Sequence, residues 1–307
     1  MKNAASCLTA LLILIGILIA SANGEPYVGV YYYVWYGDGR HWNDAPCNLV
    51  IDKPILGYYN SQDIEVVKTQ LQLIQDAGID FIIISWWGPK SYEDRSAELV
   101  FSCLPGFQVK ACIMVEPFNS DVNYAEIYDY IYEKYVSKHP DLYFHLEGKP
   151  LLLFYNPLNP PIDSRFTVIT VGHESYVQWY LWSEEPTVRN GCIALMPKYD
   201  NSLINPHGAK IIDPYGESFY EEAWRYALNE KDQAKVITIY SWNEYHDRSA
   251  IEPHYDGLNP AFHFYALTRN YITWLKTPQT SPITPYSYTL IAALIVIAVF
   301  TLRRTVR

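Results

Sequence analysis

Residues 235–247 read KVITIYSWNEYHD. The first half, Lys235–Tyr240, is an apolar, β-branched run of strand length. The second half, Ser241 to Asp247, mixes aromatic, amide and acidic residues and has no helical stripe. A strand that runs directly into such a loop is the arrangement met at the carboxyl face of an α/β barrel. Seven similar runs precede it: Tyr27–Tyr33, Asp80–Ser85, Val109–Val115, Leu151–Tyr155, Phe166–Val171, Val177–Leu181 and Cys192–Leu195. Their near-continuous apolar character, as in FIII at 81–84, fits strands buried on both faces.

Helical patterns fall between several of these runs. Asp63–Ala77 ends at Gly78, the residue that most easily leaves a helix by a left-handed turn. Ser91–Cys103, Tyr124–Lys138, Ser218–Asn229 and Pro260–Trp274 follow the same logic. The alternation predicts an α/β fold, a (β/α)8 TIM barrel spanning residues 25–276. Connections around the fifth and sixth strands are too short for full helices, so irregularity is expected there.

The segments outside that domain carry their own signals. Residues 1–24 have Lys2, an apolar run from Leu8 to Ile19 and the small residues Ala20-Ser21-Ala22, a signal-peptide pattern; a retained anchor is the alternative. Residues 277–285, TPQTSPITP, read as a linker. Residues 286–302 are uncharged and are expected to form a transmembrane helix, with the basic tail 303–307 on the cytoplasmic side. A single-pass membrane protein follows, with its barrel extracellular or lumenal and the lipid bilayer as a partner through the C-terminal helix.

Setting aside Lys2 and the three tail arginines leaves 19 basic against 33 acidic residues, a net charge of −14. That argues against nucleic acid or a polyanion as ligand. Of five cysteines, Cys47, Cys103, Cys112 and Cys192 lie beyond the signal segment. Cys103 and Cys112 are the pair closest in sequence and a candidate disulfide; four buried thiols are the alternative. No CxxC and no Cys/His cluster has metal-ligand spacing, so neither a metal site nor a cofactor is expected.

Aromatic residues make up 16% of the chain, with 28 Tyr and 9 Trp, more than core filling asks for. Many stand where strands end: Tyr33, Trp35, Tyr36, His41 and Trp42 after the first; Trp86 and Trp87 after the second; Tyr199 after the seventh. Glu116 follows the third strand, and Trp242, Asn243, Glu244, His246 and Asp247 follow the eighth. Tyr and Trp pair a flat apolar face with a polar tip, which suits sugar rings as well as cores. Glu244 and Asp247, three residues apart, are the pair of carboxylates that glycosidic cleavage needs; solvated loop charges are the alternative.

Six ordered stretches then carry a specific resemblance: YYVWYG at 32–37, His41-Trp42, LGYYNS at 56–61, Gly78-Ile79-Asp80 through Ser85-Trp86-Trp87, Glu116-Pro117, and WNEYHD at 242–247 with Ile251-Glu252-Pro253. Residues 27 to 276 together resemble glycoside hydrolase family 99, the endo-α-1,2-mannosidases and endo-α-mannanases. The resemblance implies a (β/α)8 barrel and metal-free, retaining cleavage inside an α-mannoside chain by neighbouring-group participation. Glu244 stands at the position of the base on the sugar's own 2-hydroxyl, and Asp247 at that of the general acid. Trp87 matches members that act on mannan. The family has Glu at the position of Asp247, Trp at that of Tyr245 and a small residue at that of Arg248. Two other readings stay open: an α-glucanase or polysaccharide-processing transglycosylase on the same barrel, and an inactive glycan-binding surface protein.

Overall fold

This computed structural model describes residues 24–42, 50–119, 121–213, 216 and 218–277. Eight parallel strands build the barrel wall: β1 (Tyr27–Tyr33), β2 (Phe81–Trp86), β3 (Lys110–Val115), β4 (Lys149–Tyr155), β5 (Thr167–Gly172), β6 (Trp179–Tyr180), β7 (Cys192–Leu195) and β8 (Val236–Ile239). They are ordered β6-β5-β4-β3-β2-β1-β8-β7, so the first and last strands of the chain lie side by side. Tyr27 is level with Val236 across one edge of β1, and Gly29 with Phe81 across the other. At Gly29 the Phe81 ring packs so close that a Cβ would lie 2.3 Å from it, which is why this strand position has no side chain.

Among the described residues no ladder joins β6 to β7, so the barrel is nearly closed rather than closed. Val188–Arg189 covers the free edge of β7 as a short antiparallel strand. From it, the Arg189 guanidinium donates to the Val177 carbonyl at 2.8 and 2.6 Å and to the Tyr180 hydroxyl at 3.0 Å. A side chain thus spans the gap that backbone hydrogen bonds leave.

The helices are α1 (Ile64–Asp76), α2 (Tyr92–Cys103), α3 (Tyr124–Ile131), α4 (Phe219–Asn229) and α5 (His263–Lys276). Asp63 and Ser91 cap α1 and α2 by accepting from Glu65 N and Asp94 N. The helical pattern expected to run to Lys138 instead passes into a π turn over Tyr132–Val136. That wider turn lets Tyr130, Lys134 and Tyr135 all reach the Asp94 carboxylate of α2. Among the described residues no helix follows β4, β5 or β6. After β4 the reason is Pro157, Pro160 and Pro161, which remove backbone donors. After β5 and β6 the connections are too short.

Side chains on β1 alternate across the wall, and this decides the cysteines. Tyr31 lies inside near Cys112 and Cys192, whereas Tyr32 lies outside, bonded to Gln70 of α1 and near Cys103. Cys103, Cys112 and Cys192 are buried free thiols, so the expected Cys103–Cys112 disulfide does not form. The barrel wall stands between the two sulfurs. Cys47 lies outside the described residues, as do the expected signal segment but for Gly24, the linker beyond Thr277, the transmembrane segment and the basic tail. Among the described residues no helix is long and apolar enough to cross a membrane. The barrel belongs to a compact unit ending at Trp274; of the following unit only residues 275–277 are described.

Candidate active site

After β8 the chain folds back on itself. Ser241 N donates to Ser249 O, Ile251 N to Ser241 O, and Ser249 N to Glu244 O. This closed loop holds Glu244 and Asp247 at the barrel mouth. Asn243 ties it to β1, accepting from Tyr33 N and donating to Tyr33 O, both at 2.8 Å. Tyr36 adds a second tie: its hydroxyl donates to Asn243 O at 2.8 Å and accepts from Tyr245 N at 3.1 Å. Beneath the loop, Glu252 accepts from Gln70 and from the hydroxyls of Tyr59 and Tyr245. Both of its oxygens are used and it has no exposure, so it supports the loop from below.

Three further carboxyls face the mouth. Glu244 Oε1 accepts from His246 N at 2.9 Å and sits 2.7 Å from His246 Nδ1. Burial works against charge on His246, but the Glu244 carboxylate outweighs it, and the imidazole's pKa rises above its ordinary value. Asp247 Oδ1 takes both the hydroxyl and the N–H of Ser249, while Oδ2 takes the Tyr240 hydroxyl at 2.7 Å. Burial pushes the Asp247 carboxyl up to about 8, and the neighbouring Glu244 charge adds to this against the Ser249 and Tyr240 hydrogen bonds. Glu116, after β3, accepts from Ser85 Oγ at 2.8 Å. Burial likewise pushes it up to about 8, with the Ser85 bond opposing and Glu244 again adding. One carboxyl hydrogen-bonded to a histidine beside two that hold their protons near neutrality can divide base and acid roles.

Two recesses flank these groups. On the β1–β2 side, Trp35, Arg40, His41, Trp87 and Glu93 line a cavity of about 230 Å³. Trp35 stacks on His41 at 4.6 Å, and both rings meet His246 edge-on. On the β5–β7 side, a cavity of about 730 Å³ is lined by His173, Tyr180, Trp182, Tyr199 and Lys210, among others. Tyr199 adjoins the carboxylates: burial first, then the Asp247 charge, raises its phenol.

The structure brings Tyr33, Trp35, His41, Trp87, Glu116, Tyr199, Glu244, His246 and Asp247 to one face of the barrel. Five expected cleft residues are elsewhere. Trp86 is fully buried on the outer face of β2, its indole N–H on Asp94 of α2. Trp242 is fully buried and meets Tyr265 of α5 edge-on. Trp42 is buried under Tyr36, ring centroids 3.9 Å apart, with its N–H on Tyr59 O. Tyr36 and Asn243 have no exposure and serve the loop ties described above. Trp182, expected among the aromatic residues after the sixth strand, lines the larger recess. Conversely, Tyr240, Ser249 and Tyr180 of β6 are not among the expected site residues. For Tyr240 a signal existed, since it shares the inner face of β8 with Thr238, two residues earlier.

Residues 41–179 match the model of glycosyl hydrolase family 99. Glycoprotein endo-α-1,2-mannosidase of Mus musculus is 27% identical over 166 residues, covering 42% of this chain and 36% of the mouse protein. The human glycoprotein endo-α-1,2-mannosidase-like protein is 23% identical, covering 72% of this chain and 67% of its own length. The chain spans little more than a third of the length of the rodent relatives it matches. In three dimensions it resembles the GH99 endo-α-mannosidase of Bacteroides thetaiotaomicron, with TM-score 0.68 and 20% identity over 81% of this chain and 97% of the other. The chain thus resembles glycoside hydrolase family 99 in sequence over residues 41–179, and it shares the barrel fold of the bacterial structure over 81% of its length.

Proposed function

We propose that this relative of glycoside hydrolase family 99 is an endo-acting glycoside hydrolase that cleaves internal α-mannosidic linkages with retention. The observation that carries the reading is the placement of Glu244 and Asp247 between two recesses. Glu244 and its partner His246 adjoin the Trp35–Trp87 recess, while Asp247 adjoins Tyr199 and the larger one. A cutting position open on both sides accepts the interior of a glycan chain. In this reading the sugar to be cleaved lies toward Trp35, and the leaving portion runs toward Tyr199. Glu244 accepts the proton of the sugar's 2-hydroxyl as that oxygen attacks the anomeric carbon. Asp247, neutral at first, protonates the departing oxygen; it later takes a proton from the water that attacks the anomeric carbon, while the bond to the 2-oxygen breaks and Glu244 returns its proton there. Its Oδ1 takes two hydrogen bonds from Ser249 and its Oδ2 only one, from Tyr240, so Oδ2 keeps room for the transferable proton. The names of the relatives supply the sugar, mannose; the carboxyl pair and recesses support cleavage of a chain. Digesting a panel of α-mannans and α-glucans tests the choice. Oligosaccharides released from mannan support it; cleavage of glucan alone would replace it with an α-glucanase.

Two expected results arise here. Trp87 is half-buried, donates to Ser85 Oγ at 3.2 Å and lines the smaller recess. Trp87→Ala should weaken glycan binding by roughly 1–3 kcal/mol, the scale of one lost aromatic stack. Titration calorimetry with an α-manno-oligosaccharide measures this. Unchanged affinity together with a large drop in melting temperature would place Trp87 in the core instead. The second concerns Tyr240, whose hydroxyl favours the ionised form of Asp247. In Tyr240→Phe that bond is gone, so Asp247 holds its proton to higher pH. The alkaline limb of kcat/KM should therefore move upward. A limb that stays in place or moves down would sever Asp247 from it.

A further inference from the structure

The turn that presents Asp247 is fixed by buried ions. Arg248, the next residue, has a left-handed backbone with φ of 59°, a region that favours glycine. Its guanidinium forks onto Asp52, Nη2 to Oδ1 at 2.8 Å and Nε to Oδ2 at 3.1 Å. Nη2 also donates to Asp256 O at 3.2 Å, and Nη1 lies 3.4 Å from Asp200 Oδ2. A second buried cation, Lys198, lies 2.6 Å from Asp256 Oδ2 and 4.0 Å from Asp52 Oδ2. Asp52 has no exposure, and it belongs to the segment whose Lys53 and Pro54 pair with Tyr255 and His254. On the other side of the same peptide unit, Asp200 N donates to Asp247 O at 2.8 Å. The peptide between residues 247 and 248 is therefore held by Asp200, in the chain that follows β7, and by the Arg248 side chain anchored on Asp52.

Burying two cations among three carboxylates is an unfavourable way to gain stability, since desolvation offsets much of the attraction. What a bidentate fork does supply is a single geometry. Here that geometry sends the Arg248 side chain to Asp52 and the Asp247 carboxyl to Tyr240 and Ser249. We propose that Arg248 is a positioning residue for the reaction: its fork on Asp52 holds the left-handed turn that aims the Asp247 carboxyl at the leaving oxygen. This rests on the reading of Asp247 as the proton donor.

The test uses the full chain with Arg248→Gly, Asp52→Asn and, as reference, Asp247→Asn. Glycine accepts the left-handed turn, so Arg248→Gly removes the grip without adding strain. Each variant is assayed on α-mannan and on an α-manno-oligosaccharide with an activated aryl leaving group. A misplaced acid costs about 10²-fold in rate. Arg248→Gly should lose about that factor in kcat on α-mannan with KM nearly unchanged, and much less on the aryl substrate. Asp52→Asn should show the same asymmetry in smaller measure, and it decides the matter if Arg248→Gly does not fold. Equal losses on both substrates, or none, would overturn the role of Arg248. If Asp247→Asn fails to separate the substrates, the acid assignment falls and the role of Arg248 falls with it. If Asp247→Asn separates them and the other two do not, Arg248 alone is at fault.

Discussion

Glu244→Gln is expected to lose about 10²–10⁴-fold in kcat/KM on every substrate, natural or activated, the range for a general base. The exchange is nearly isosteric. A glutamine carbonyl still accepts from His246 N, so the loop ties through Asn243, Tyr36 and Ser249 are untouched. What disappears is the oxygen able to take a proton from the 2-hydroxyl. The 2-oxygen displaces every leaving group alike and must lose its proton to do so, so improving the leaving group does not replace the base. A melting temperature close to that of the parent shows that the chemistry, and not the fold, was removed. A variant that keeps its rate, or recovers on aryl substrates, would contradict the base assignment.

Asp247→Asn is expected to lose a similar factor, about 10²–10⁴-fold, on α-mannan, and to recover part of it on substrates whose aryl leaving group needs little protonation. The contrast between the two variants is more informative than either loss, because an unfolded protein loses every substrate alike. Stability adds a check with a definite sign. The Asp247 carboxyl is held up to about 8 in the fold by burial, above its unfolded value. Such a group lowers stability as pH climbs from the unfolded value toward the folded one. Asn does not titrate, so near pH 8 the variant should melt no lower than the parent. Full activity on α-mannan would transfer the acid role to Glu116, the other carboxyl at the mouth that burial pushes up to about 8. Glu252 is no alternative, since its oxygens are spent on Gln70, Tyr59 and Tyr245.

The eight strands were legible because strands buried on both faces are written as apolar, β-branched runs, and the first and last runs alone place their ends at one mouth. The carboxyl ends then gathered Glu116, Glu244, His246 and Asp247 as expected. The aromatic residues were harder to assign because a strand turns its side chains to alternate faces. Ser85 points inward to Glu116, so its neighbour Trp86 points outward to α2. A residue one place along the strand changes from cleft to core, and composition does not record that phase. Tyr36, Trp42 and Asn243 show a second difficulty. They follow strand ends, as cleft residues do, yet the polar atoms of Tyr36 and Asn243 are consumed in holding the loop after β8, and the indole N–H of Trp42 is spent on Tyr59 O. Contacts between distant segments left no local trace at all. Arg248 and Asp52 are 196 residues apart, and nothing in either neighbourhood names the other.

Proton NMR of α-mannan during digestion by the full chain reads both the size and the anomeric form of the first products. The first reducing ends to appear should belong to oligosaccharides and be α-configured, and they should be absent with Glu244→Gln. Free mannose as the first product, or β-configured reducing ends, would contradict it.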